Sequence, residues 1–331
     1  MDNDSIIFII FLMILFVIGQ LMENDKGVPF VFTVVMIVVI ILAMVALIIW
    51  NKTNNSDLGA AAKALEHGDY QTAFGEFKSL ADQGRPEAQF KLGLMYANGK
   101  GIAQSQSDAT AWFHKAAVQG NAYAQYALAL IYNEGQGVEK DYTQAVKWFE
   151  RAAKQGLASA QYGLAVKYGK GQGVRQNDSQ AEIWYRLAAK QGDAKAQFNL
   201  GMMYNEGKGI MQNDKQAMAW YRRAADQGLA QAQNNLGLMY MTGRGVKTNN
   251  SLALNLFKLS ARQGYTLGQY NLGVMFDEGW GTNKNLLQAY VWISLAAKNG
   301  NPDAVSRLPS VKEKMTLEQI ATAKKIINQN K

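Results

Sequence analysis

A chain that performs covalent or metal chemistry must gather nucleophiles, bases or ligands, and this sequence offers few of them. It has no cysteine in 331 residues, which removes thiol nucleophiles, thiolate ligands and disulfides. Its two histidines, His67 and His114, lie in different parts of the chain. Neither has a Cys, Asp or Glu neighbour at ligand spacing, so both read as solvated histidines. The Gly-Lys-Gly at Gly207–Gly209 could pass for a phosphate-cradling loop. A nucleotide fingerprint, however, opens a helix after a strand, whereas this turn joins two helical patterns and recurs six times. No paired carboxylates and no nucleophile with its base can be assembled, which counts against an enzyme acting on envelope polymers. The expectation is no catalytic residue, no metal and no cofactor.

What the sequence does contain is a period. Gln-Gly recurs at Gly84, Gly120, Gly156, Gly192, Gly228 and Gly264 and, as Asn-Gly, at Gly300, always 36 residues apart. A fixed period of this size is the mark of a solenoid. One unit, Asp193–Gly228, reads as two helices. In the first, Ala196, Leu200 and Tyr204 fall at i, i+4 and i+8, with Gln197 and Gly201 beside them. Gly207-Lys208-Gly209 stops it, because glycine takes the left-handed conformation that closes a helix. The second starts at Asn213, and the equivalent positions hold Ser105, Asp141, Asn177, Asn249 and Asn285. All six are N-capping residues. Ala217, Trp220, Tyr221, Ala224 and Ala225 form its buried stripe, with Trp184 in the Trp220 column. Ala224 and Gly201 are expected to allow close approach, with Trp220 filling the gap.

These residues resemble the Sel-one-like repeat (SLR) family, a relative of the tetratricopeptide repeat. The pattern A-x-x-x-L-G-x-x-Y-x-x-G-x-G, then D/N-x-x-x-A-x-x-W-F/Y-x-x-A-A-x-x-G, runs through six successive copies. The resemblance implies an α-solenoid for protein–protein contact, and no catalytic residues to carry over. The expected fold is all-α, a right-handed α-solenoid of six 36-residue helix-turn-helix repeats preceded by two transmembrane helices.

Ile6–Met22 and Phe30–Trp50 are apolar runs separated by the polar turn Glu23–Pro29. A membrane-crossing helix needs roughly 17–25 such residues. A cleavable signal peptide wants a basic start and a small-residue cleavage site, and neither is present. The expected division is therefore a two-span membrane hairpin at 1–50 and a linker with an N-terminal half-repeat at 51–84. Six repeats at 85–300 and capping helices at 301–331 follow. Thr316 and Gln319 form a capping box for the last helix, while Pro309 is expected to end the helix before it. Residues 1–50 carry a net charge of −3 and the remainder +11, which suits an anionic surface or an acidic partner.

Two surfaces and one residue escape the packing rule. On the first helices, columns opposite the signature stripe differ from copy to copy, and they supply a candidate partner groove of Tyr123, Lys195, Asn199, Gln231, Asn235 and Asn271. In related solenoids the first helix lines the concave side. On the second helices a basic ridge runs through Lys115, Arg151, Arg186, Arg222, Arg223 and Arg262, with Lys154 and Lys190 beside them. Cations in a last turn gain about 0.3–1 kcal/mol each from the helix dipole. Beside an anionic leaflet each gains about 1 kcal/mol, so contact with anionic lipid is a candidate role. Trp280 sits inside the sixth Gly-x-Gly, either packed under the terminal helix or exposed as an anchor for a partner.

The function expected is a membrane-anchored, non-catalytic scaffold holding a protein partner in the concave groove, with residues 6–50 in the lipid bilayer of a bacterial inner membrane. Positive charges flanking the spans, Lys52 and Lys63 against Lys26, favour a cytoplasmic array, with a periplasmic one as the alternative. An immunity or inhibitor protein neutralising a toxin at the membrane is a second reading. An envelope, secretion or motility assembly factor working through the basic ridge is a third. Nucleic acid is not an expected partner.

Overall fold

The structure, a computed structural model, describes Val45 and residues 57–329. Apart from Val45, the two apolar runs and the membrane hairpin expected from them lie outside the described residues. Among the described residues no helix is long and apolar enough to cross a membrane. Those residues are all-α, and they fall into two compact units that divide after Gln119.

The first unit holds a helix at 57–66 (α1), then α2 (Tyr70–Asp82), α3 (Pro86–Asn98) and α4 (Gln106–Val118). Asp69 caps α2 by accepting from the Thr72 N–H. Ala73, Phe77 and Ala81 bury the expected face, joined by Leu92 and Met95 of α3. The second unit continues the pattern as α5 (Ala122–Glu134), α6 (Tyr142–Lys154), α7 (Ala158–Lys170), α8 (Asp178–Lys190), α9 (Ala194–Glu206) and α10 (Asp214–Asp226). It ends with α11 (Ala230–Thr242), α12 (Asn250–Arg262), α13 (Thr266–Glu278), α14 (Leu286–Lys298), α15 (Pro302–Glu313) and α16 (Leu317–Gln329). Each second helix starts where its cap residue predicts: Ser105, Asp141, Asn177, Asn213, Asn249 and Asn285 all accept a backbone N–H of the first turn.

Within a repeat the two helices pack through one close contact. A Cβ on Gly201 would stand 2.7 Å from Cδ1 of Tyr221, so the ring lies directly on the α9 backbone. It is Tyr221, not Trp220, that covers this glycine, since residue 221 points at the partner helix while 220 lies one position round. Trp220 is still buried, at 6% exposure. Trp184 is only half-buried, packed on the edge of the core.

Between repeats the polar link is a ladder of glutamines. Gln191 Nε2 donates to Gln161 Oε1 at 2.8 Å and to the Gly156 carbonyl at 2.9 Å, while Gln161 Nε2 reaches the Ala153 carbonyl at 3.2 Å. Gln227 with Gln197 and Gln263 with Gln233 repeat the arrangement. The receiving glutamines are about as buried as the leucines beside them, and every rung satisfies a side-chain amide that would otherwise cost about 1–3 kcal/mol to bury. The Gly-x-Gly turns add a steric fit. Gly207 closes α9 at φ 70°, and a Cβ on Gly209, also left-handed at φ 71°, would lie 2.6 Å from the Asp178 carbonyl of α8.

At the C-terminal end α15 runs through Pro309 to Glu313, so this proline does not end the helix as its type suggests. The carbonyl that loses its N–H partner is that of Val305, a residue 56% exposed, where solvent can take the place of the bond. Thr316 and Gln319 form the expected capping box, with reciprocal bonds of 3.0 and 3.2 Å. Asp277 of α13, 3% exposed, ties α15 to the array by accepting from Arg307 at 2.6 Å and from Lys314 at 3.2 Å. Burial works against its charge, but the hydrogen bonds from Arg307 and Lys314 hold its carboxyl below the usual 3.8.

Candidate partner-binding clefts

Two clefts lie one repeat apart in the second unit, built from equivalent residues. One, of about 260 Å3, is lined by Asn235, Tyr221, Leu238, Met239, Thr242 and Arg244. The other, of about 170 Å3, is lined by Asn199, Tyr185, Met202, Met203, Glu206 and Lys208. Asn199 corresponds to Asn235, Tyr185 to Tyr221, Met203 to Met239 and Lys208 to Arg244. The first helix of a repeat supplies the asparagine and the methionine. The preceding second helix supplies the tyrosine floor, and the Gly-x-Gly turn supplies the cation.

Burial sets the chemistry of each floor. Burial pushes the Tyr221 phenol up to about 12 and raises that of Tyr185 as well, with the Asn235 hydrogen bond a smaller opposing effect on Tyr221. Both are therefore neutral hydroxyls near pH 7. The rim cations are paired across the repeat junction, Arg244 with Asp214 at 2.7 Å and Lys208 with Asp178 at 3.6 Å. Neutral amide, thioether and phenol groups framed by such pairs can hold a peptide segment.

The groove residues do not share one state. Tyr123 is 59% exposed, Lys195 is exposed, and Gln231 is half-buried. Asn199 donates to its own helix at the Lys195 carbonyl, 2.9 Å away. Asn271 donates at 2.8 Å to Oδ1 of Asn234, a buried residue that also bonds Asn235. Within that column Gly163 is packed instead, since its Cβ would meet the Phe149 ring at 2.6 Å. The neighbouring aromatic column is also packing: Tyr126, Tyr162 and Phe198 lie with ring centres 5.7–5.9 Å from Phe149, Tyr185 and Tyr221.

The six ridge cations occupy more than one register, and five are engaged within the chain. Lys115, Arg151 and Arg223 lie over Trp112, Trp148 and Trp220, at 3.7, 4.5 and 4.4 Å from the ring centres. Arg186 bonds the Tyr204 hydroxyl at 3.0 Å and pairs with Glu182, and Arg222 bonds the Tyr240 hydroxyl. Arg262 is exposed at the end of α12. Trp280 is 42% exposed, more than burial under the terminal helix would leave. His67 bonds the Lys63 carbonyl at 2.7 Å, and His114 is exposed on α4. Among the described residues no cluster of His, Cys, Asp and Glu could hold a metal ion.

The glutamine ladder, the Asp277 cluster and Lys167 were not anticipated from the sequence. Lys167 had left a signal: it stands in a column otherwise held by Met95, Ile131, Met203, Met239 and Met275.

Stacked helix pairs with a glycine-closed turn and a capped second helix define an α-solenoid. The Sel1 repeat model matches six consecutive segments, residues 86–121, 122–157, 158–193, 194–229, 230–265 and 266–301, and the chain belongs to the Sel1 repeat family. Proteins of this family typically mediate protein–protein interaction, on a scaffold that is generally non-catalytic.

Among solved structures it is similar to c5321, a protective antigen present in uropathogenic Escherichia coli strains and displaying an SLR fold. That match has 35% identity and a TM-score of 0.69, and covers 78% of this chain and 56% of that one. It is also similar to a Sel1 repeat protein from Oxalobacter formigenes, with 30% identity and a TM-score of 0.66, over 72% of this chain and 96% of that one. A shorter similarity, 42% identity over 53 residues, joins it to the Helicobacter pylori protein named "Putative beta-lactamase HcpE". That similarity covers 16% of this chain and 15% of the relative.

Proposed function

We propose that the chain is a membrane-anchored scaffold that holds a protein partner along the clefts of its repeat array. The observation that carries this reading is the pair of equivalent clefts around Asn199 and Asn235, set at the repeat spacing on a face whose residues vary between copies. A segment lying across both would meet an amide, a thioether and a cation at each step. The anchor rests on the apolar runs at 6–22 and 30–50, each at or above the ~17-residue limit for a crossing helix. The excess of basic residues beyond residue 50 favours an acidic partner and a cytoplasmic array beside an anionic leaflet. The hydrolytic chemistry in the name of the Helicobacter pylori relative gains no support from the clefts, whose hydroxyls are Thr242 and two phenols that burial keeps neutral.

Affinity purification of the full chain from membranes tests the reading. Asn199→Arg with Asn235→Arg should lose the co-purifying partner, while Lys154→Glu with Lys190→Glu, on the second helices, should keep it. Loss from the second pair and retention in the first would transfer the function to the basic surface.

A further inference from the structure

Two junctions of the second unit are closed by an ion pair across the repeat, and the junction between α6 and α7 is built differently. In the next two junctions a cation on the Gly-x-Gly turn meets an aspartate opening the preceding second helix, Lys208 with Asp178 and Arg244 with Asp214. Here those two positions hold Gln172 and Tyr142, and the cation comes from inside, as Lys167 in the methionine column. Its position is 5% exposed, yet its Nζ finds only neutral partners. It donates to Asn133 Oδ1 and, at 3.0 Å, to Gln172 Oε1, and it sits 4.2 Å from the centre of the Tyr142 ring. Lys140 stands over the same ring at 5.6 Å. Lys170 takes a position held by glutamate in three other copies, Glu134, Glu206 and Glu278.

Lys140, Lys167 and Lys170 together make this junction positive. Among the described residues none of Lys140, Lys167 and Lys170 belongs to an ion pair. Of the carboxylates nearby, Asp141 accepts the Thr143 and Gln144 N–H groups as a cap and Glu134 accepts from Gln136, while Asp178, paired with Lys208, and Glu206 line the cleft together with Lys170. Neutral oxygens solvate a buried ammonium without cancelling its field, which is felt most strongly where water is excluded. Burial, with Lys170 and Lys140 adding to it, pushes the Lys167 ammonium down to about 8.

We propose that this junction is an anion site for a carboxylate presented by an acidic segment of the protein partner, with Lys140 and Lys170 at its rim and Lys167 beneath. The proposal rests on the partner-binding reading and narrows it. Lys170 also lines the cleft that contains Asn199, so a segment lying in that cleft brings an acidic side chain within reach of the site. The overall charge of +8 draws such a segment in.

The test uses the full chain with a short glutamate-rich peptide as one probe and inorganic phosphate as the other. The variants, Lys170→Glu and Lys167→Met, carry residues that other copies hold at the same positions, and thermal melts check that both fold. Native protein should bind the peptide in a salt-sensitive way, with affinity falling about tenfold in Lys170→Glu. Bound peptide should also raise the pH at which the Lys167 amine titrates, read by NMR of labelled lysine. Equal peptide binding by native protein and both variants, or none by native protein, overturns the proposal. So does an unchanged Lys167 titration, or a shift produced by phosphate and not by peptide. Partner capture through Asn199 and Asn235 that survives Lys170→Glu would leave the cleft reading standing and remove this one.

Discussion

At the scale of single residues, the account is tested most simply where one side chain breaks a column. Lys167 occupies a methionine position, and its amine is held at about 8 against an ordinary 10.5. The cost of its charge is therefore present in full below pH 8 and fades as pH rises from 8 to 10.5. Lys167→Met should stabilise the fold near neutral pH, on the order of 1–3 kcal/mol, read from denaturant midpoints. The native protein should gain stability across pH 8–10.5 relative to the variant, and parallel pH curves for the two would contradict the burial argument. Gly209→Val combines a left-handed φ with a backbone clash against Asp178 and should cost about 2 kcal/mol or more. Lys208→Ala loses only an exposed ion pair, worth about 0.2–1 kcal/mol. Equal midpoints for these two variants would show that the turn is not a steric fit. The sequence marked Gly209 by its recurrence, whereas the clash that makes it necessary is with a residue 31 positions earlier.

At the scale of the helix and its neighbours, Trp220→Ala should cost about 3–5 kcal/mol, because the ring is buried, 6% exposed, within the core cluster. Trp184→Ala should cost distinctly less, since that ring is half-buried at the edge. Denaturant unfolding of both ranks them, and the reverse order would mean the two rings have been assigned to the wrong environments. Helices, caps and turns were legible because each follows from local chemistry: an oxygen-bearing cap at Asn213, a glycine at 207, apolar residues four apart. The ladder of Gln191 on Gln161 was not. Periodicity shows that a column exists, but not that it bonds a column 30 positions away. Pro309 misled for a related reason, since its cost depends on whether the orphaned carbonyl of Val305 meets solvent. The groove asparagines were identified as variable positions, but the bonds that hold Asn199 to its own helix and Asn271 to Asn234 of α11 could not be read from variation alone.

For the whole molecule, the claims are a membrane anchor and a partner held by the clefts. With two spans the N-terminus and the repeats share one side, so single cysteines at Asn55 and Asn24 report orientation cleanly in a chain without native cysteine. Intact cells treated with a maleimide that enters only the periplasm should label Asn24→Cys and not Asn55→Cys; the opposite pattern would place the array in the periplasm. The central claim is tested most directly by site-specific photocrosslinking in membranes from Asn199, Asn235 and Gln231, with Lys154 and Lys190 as controls on the second helices. The account predicts one and the same protein adduct from the three first-helix positions and none from the controls. Adducts from Lys154 and Lys190 with none from Asn199 and Asn235 would contradict it.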